Sequence, residues 1–142
     1  MTPAVAAELR IESLGVTFVL FAAGLIAANP RFRVARDVGR LAPMRVDLDV
    51  VDRDGEHAVS ILTPAIIGRG ADADVIVDDA EASRHHARLE AENGIVYVSD
   101  LESTNGTYLN GRRLHQAIEV REGDRIDVGT ARLVVKELAP WT

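Results

Sequence analysis

The chain has 142 residues, 47% of them hydrophobic, enough for one domain of ordinary size with a short appendage and too little for two large ones. A formal charge of -6 and a pI near 5.2 disfavour nucleic-acid binding, because a phosphate backbone calls for a clustered basic face. There is no cysteine, so disulfides and thiolate metal sites are excluded.

Residues 1–43 differ in kind from the rest. Leu14 to Ala28 is fifteen residues without a charge, and Asn29-Pro30 ends any helix there, since proline lacks the donor and restricts the residue before it. Arg31, Arg33, Arg36 and Arg40 follow, against Asp37 alone. A membrane-spanning helix needs about 20 apolar residues, so residues 14–28 are short for one. Two readings stand. In the first, this hydrophobic helix anchors the chain, and the arginines keep the following domain in the cytoplasm at the inner face of the plasma membrane. In the second, the helix packs on a partner or on that domain. A secretory signal fits less well, because Glu8 and Glu12 flank Arg10 ahead of the apolar run.

Residues 44–142 show short apolar alternations broken by turn residues, which predicts an all-β sandwich or barrel. Val46, Leu48 and Val50 share one face of a strand from Met44 to Val50, and Asp52-Arg53-Asp54-Gly55 turns it into a second strand from His57 to Leu62. Ala65 to Gly68 and Val75 to Val77 read as short buried strands around the acidic loop Ala71 to Asp74. His86 to Glu90 and Ile95 to Asp100 flank Asn93-Gly94, a dipeptide that readily adopts the positive φ angles of hairpin turns. A short strand then ends at the turn Asn110-Gly111. Ile118 to Val120, Arg125 to Val128 and Arg132 to Leu138 complete the set.

Three segments carry chemistry. Gly68-Arg69-Gly70 puts a cation at a strand end, with a glycine on either side to let the backbone bend tightly around it. Ser83-Arg84-His85-His86 sets a hydroxyl beside a second cation, and Ser103-Thr104-Asn105-Gly106-Thr107 is a tight polar loop. Arginine, serine and bare loop amides are the donors that hold a phosphate dianion.

In this order, with Asn110-Gly111 following, the segments resemble the forkhead-associated domain family, whose members bind phosphothreonine peptides. The motif order spans residues 66–111 and the likeness runs to about residue 138, leaving residues 1–43 outside. The resemblance implies a two-sheet β-sandwich of ten to eleven short strands, here preceded by the short N-terminal hydrophobic helix. It implies a phosphothreonine-dependent adaptor in serine/threonine kinase signalling, not an enzyme, without cofactor, whose partner is a kinase or a kinase substrate. By the same resemblance Arg69, Ser83 and Arg84 contact the phosphate, and Thr104 and Asn105 line the phosphothreonine and grip the peptide backbone. His86 is a buried tie between loops, His85 faces solvent, and Gly68, Gly106, Thr107, Asn110 and Gly111 set loop shape. Glu81 stands two residues before the motif serine, where some family members carry a base that selects an acidic residue three positions after the phosphothreonine, so at that peptide position no aspartate preference, and a bias toward arginine or lysine, is expected unless Arg112 and Arg113 reverse it.

Other readings are weaker. Ser83, His86 and Asp100 lack the Gly-x-Ser-x-Gly elbow of a hydrolytic triad. Asp72, Asp74, Asp78 and Asp79 lack the glycine and terminal glutamate of a calcium loop and read as a solvated acidic stretch. His57, His85, His86 and His115 lack the paired spacing of a zinc site. A phosphate-independent scaffold that docks a folded partner remains the alternative function.

Overall fold

The computed structural model describes residues 41–142, so the candidate helix at 14–28 and the arginines after it lie outside the described residues. Among those described, no helix is long and apolar enough to cross a membrane. The chain forms β1 (Met44–Asp52), β2 (Gly55–Leu62), β3 (Ala65–Gly68), β4 (Val75–Ile76), β5 (Ala87–Glu92), β6 (Ile95–Asp100), β7 (Thr107–Leu109), β8 (Arg112–Arg113), β9 (Ile118–Val120), β10 (Arg125–Val128) and β11 (Ala131–Pro140). They make two sheets, a six-stranded one in the order β2-β1-β11-β10-β7-β8 and a five-stranded one in the order β4-β3-β5-β6-β9. This is the expected all-β sandwich.

Strict alternation explains the first sheet. Successive side chains of a strand point to opposite faces, so Val46, Leu48 and Val50 of β1 turn inward while Arg45, Asp47 and Asp49 turn out. Ile126 and Val128 of β10 and Leu133 and Val135 of β11 join them, all at most 1% exposed. Ile67, Leu89, Val96 and Val98 answer from the second sheet at the same level of burial. Each such side chain contributes about 1.5–3 kcal/mol on leaving water. A bulge opposite Asp47 and Leu48 leaves Lys136 unpaired between Val135 and Glu137, which keeps Leu133 and Val135 inward while both charges stay exposed.

Turn chemistry sets the hairpins. Asn93 and Asn110 have φ of 54° and 50°, and the glycines after them 76° and 83°, the left-handed pair of a two-residue hairpin turn. The first joins β5 to β6. The second joins β7 to β8, a strand not anticipated from the sequence because two arginines carry no alternation. The β1–β2 turn is also tighter than expected: Asp52 pairs with Gly55, so β2 starts two residues before His57. Asn105-Gly106 is not a hairpin turn, since only Gly106 has positive φ and Glu102 supplies the other left-handed residue of that loop.

Candidate functional site

Three loops meet beyond the ends of β3, β4 and β6. Arg69 N–H donates to Ser83 O at 3.0 Å, Gly70 N–H to Arg84 O at 3.0 Å, and His86 N–H to Ile67 O at 2.8 Å, so the backbone of 83–86 runs alongside 67–70. The approach is too close for a side chain at Gly68. A β-carbon built there would lie 2.0 Å from Arg84 O, and one at Gly70 would lie 2.7 Å from Asp72 Oδ1. Neither glycine has positive φ, which corrects the expected reason for them: they admit a neighbouring chain and do not bend their own.

His86 joins the second loop to the third. It is fully buried, accepts from Ser83 N–H on Nδ1 at 3.0 Å and donates from Nε2 to Gly106 O at 2.8 Å. Those partners assign the tautomer with hydrogen on Nε2. Ser83 is consequently fixed through its N–H and its carbonyl, while Ser83 Oγ accepts from Thr104 N–H at 3.1 Å. The hydroxyl hydrogen remains to donate outward. Ser83 Oγ is thus not bonded to the imidazole, and no relay to Asp100 forms.

Arg69 is exposed, and its Nε donates to Ala82 O at 3.1 Å instead of pairing with the acids of the next loop. One edge of the guanidinium is spent on positioning and the other faces outward. Ala82 is itself held by Asp79, whose carbonyl accepts from Ala82 N–H at 3.2 Å. Asp79 corrects the solvated reading of the acidic stretch. It is 2% exposed, and its carboxylate accepts from Glu81 N–H at 2.8 Å, from Thr130 N–H at 2.7 Å and from the Thr130 hydroxyl. The other acids have separate tasks: Asp74 accepts from Ile66 N–H, and Asp72 pairs with the exposed His85.

Asp100 shapes the third loop, a role the sequence did not reveal. It accepts from Ser103 Oγ–H at 2.5 Å, Ser103 N–H at 3.1 Å and the fully buried Thr107 hydroxyl at 2.7 Å. Ser103 Oγ accepts in turn from Gly106 N–H. The spacing Asp-x-x-Ser is the signal that could have marked this local capping. Asn105 reaches back, its Nδ2 donating to Glu81 O at 2.8 Å, so one arm of its amide is spent within the protein. Asn110 ties the β7–β8 turn to the β9–β10 loop through Asp124 and Arg125.

Burial alone would push the Asp79 and Asp100 carboxyls up, but their donors, Thr130 and Glu81 for one and Ser103 and Thr107 for the other, outweigh it and hold both below the ordinary 3.8. A depressed folded pKa contributes stability that is present above 3.8 and lost as pH falls through the folded value. Stability should therefore drop from pH 5 to pH 2, and an Asp79→Asn variant should show a smaller drop. Urea unfolding followed by circular dichroism at a series of pH values measures it; an equal acid loss in the variant would refute the assignment.

The structure thus gathers Arg69, Ser83, Thr104 and Asn105 around one rim, with Gly68, His86, Gly106 and Thr107 beneath it. Arg84 is exposed beside it, without a carboxylate within ion-pair distance among the described residues. Asn110 and Gly111 stand away from the rim, at the far turn of β7. Arg69, Ser83 and Arg84 bring cations and a hydroxyl together there, with Glu81, Glu102 and the His85-paired Asp72 as the acids of the same loops, and the donors are suited to an anion.

Comparison with known proteins agrees with this geometry. The FHA domain family model matches residues 65–129. FhaB of Mycolicibacterium smegmatis, an FHA domain-containing protein, is 40% identical over 77 residues, 54% of this chain and 48% of that protein. The glycogen accumulation regulator GarA of the same organism is 40% identical over 67 residues, 47% of this chain and 42% of that protein. The match thus spans about half the length of these curated relatives or less. Among solved structures, an FHA domain studied for its phosphothreonine-dependent interactions superposes with TM-score 0.59 at 31% identity, covering 66% of this chain and 96% of that one. The FhaA FHA domain, in complex with the intracellular domain of Rv3910, gives 0.58 at 32% identity, covering 64% and 99%. Sandwich, loop ties and matched sequence together place the chain in the FHA domain family.

Proposed function

We propose that the domain is a phosphothreonine-dependent binding module, an adaptor that recruits a phosphorylated protein, either a serine/threonine kinase or its substrate. The observation that carries this reading is the rim itself: Arg69 with its free guanidinium edge, and Ser83 with a free hydroxyl hydrogen, held together by His86 and Ala82. A phosphothreonine brings about -1.5 to -2 charges and three acceptor oxygens, which these donors and the exposed Arg84 match. EmbR of Mycobacterium tuberculosis, in complex with a low-affinity phosphopeptide, supports the same ligand class at 26% identity.

Titration of the full chain with a phosphothreonine peptide library, with unphosphorylated and phosphoserine copies, tests the proposal. Arg69→Ala should weaken phosphopeptide binding ten- to a hundredfold, about 1.5–3 kcal/mol of charge-assisted hydrogen bonding, while the domain still folds cooperatively with a loss of no more than about 0.5–1.5 kcal/mol for the bond to Ala82 O. Equal binding of phosphorylated and unphosphorylated peptides would leave the phosphate-independent scaffold in its place. The proposal puts the domain in the cytoplasm, where kinases draw on ATP, with residues 14–28 as its membrane attachment; recovery of the full chain in the soluble fraction without detergent would remove that attachment.

A further inference from the structure

Among the described residues, Arg45, Arg88, Arg121, Arg125 and Arg132 each lie beside a carboxylate. Arg53, Arg69, Arg112 and Arg113 do not, and Arg84 acts on Asp72 only from beyond ion-pair distance. Apart from Arg53, these belong to the recognition loops or to the β7–β8 hairpin that returns to them. In a chain of net charge -6, exposed arginines left without an ion-pair partner in one region are available to an acid supplied from outside.

Arg113 is the one whose position is built. It stands opposite Tyr108 on β8, and Leu114 N–H donates to Thr107 O at 2.9 Å, so the hairpin leads straight back to the third loop. Tyr108 and Arg113 are cross-strand partners, and Gly106, which precedes β7 with a φ of 85°, lies against the same arginine. Gly106 leaves a gap there and the arginine fills it: a β-carbon built at Gly106 would lie 2.8 Å from Arg113 Nε and 3.1 Å from Cζ. The guanidinium is therefore laid over the backbone two residues from Thr104, whose N–H is held by Ser83 Oγ. Two trans peptide units span at most about 7 Å, the reach of one or two residues of a bound peptide. Beside it Leu109, Arg112, Leu114 and Ile118 line a cleft of about 530 Å³.

We propose that Arg113 is a specificity-determining residue of the rim, pairing with an acidic side chain that flanks the phosphothreonine, with Arg112 reinforcing the local potential. This rests on the phosphopeptide reading above. A guanidinium lying over Gly106 presents its donors in the fork that a carboxylate accepts two at a time. Glu81, whose carbonyl is tied to Asn105, gives the adjacent part of the rim the opposite sign. Acid is accordingly favoured at peptide positions that reach Arg113 and disfavoured at those that reach Glu81.

The test uses the full chain and a phosphothreonine peptide in which aspartate replaces alanine at each flanking position in turn. In the wild type, aspartate at one or more positions should strengthen binding about two- to fivefold, the range of a partly exposed ion pair. Arg113→Ala should remove that step, and Arg113→Glu should convert it into a preference for arginine at the same position. Both variants should keep the preference for phosphorylated over unphosphorylated peptide, and both should melt as the wild type does, since the side chain is exposed. A wild type with no acid preference anywhere, or a preference unchanged in Arg113→Glu, overturns this inference and leaves the phosphopeptide reading standing. Equal binding of phosphorylated and unphosphorylated peptides overturns both.

Discussion

Replacing Gly68 with alanine should destabilise the domain by about 3 kcal/mol and abolish phosphopeptide capture, although the substitution adds a single methyl. The β-carbon would sit 2.0 Å from Arg84 O, with Ser83 O at 2.9 Å. Both neighbours are backbone, so no side chain can swing aside. The carbonyls are also engaged, Ser83 O by Arg69 N–H and Arg84 O by Gly70 N–H. Relief requires the 83–86 segment to move off β3, which breaks those bonds and parts Ser83 from Arg69. Overpacking typically costs about 1–3 kcal/mol, and an immovable obstacle belongs at or above the upper end. Gly70→Ala is the comparison. Its nearest obstacle is the Asp72 carboxylate, a side chain that rotates at the loss of its exposed partner His85, so a cost of about 1 kcal/mol is expected. Urea unfolding of both variants checks the pair, and equal costs would show that the close approach of 83–84 is not what requires Gly68.

His86→Ala should cost about 3–5 kcal/mol, while His85→Ala next to it should stay within about 0.5 kcal/mol. Removal of the buried imidazole leaves a cavity and takes the partner from both Ser83 N–H and Gly106 O. Each orphan costs about 1–3 kcal/mol, and the cavity adds to it. His85 loses only an exposed contact to Asp72. Phosphopeptide affinity should fall with the His86 variant even under conditions where it is folded, because Ser83 and the third loop are no longer held in register. A His86→Ala protein that unfolds at the wild-type urea concentration would show that the imidazole does not bridge these loops.

The strands are legible in the amino-acid sequence because their signals are local. Val46, Leu48 and Val50 repeat every second residue, and Asn93-Gly94 and Asn110-Gly111 carry their positive φ angles in their own chemistry. The motif residues are legible for a related reason: arginine, serine and loop amides announce an anion wherever they stand in that order. What those residues lean on is not legible. Arg69 is positioned by Ala82, 13 residues away, and Asp79 is buried by Thr130, 51 residues away. A run of acids reads as solvated until the β10–β11 turn is known to close over one of them. Gly68 likewise suggests a bend until sheet order brings 83–84 against it, and nothing local to Arg113 shows that it lies over Gly106. Alternation and turn preference are properties of a few consecutive residues, so the sequence determined the sandwich and the cast of the rim; contact between distant segments depends on which strands become neighbours, so only the tertiary structure decided what holds each donor in place.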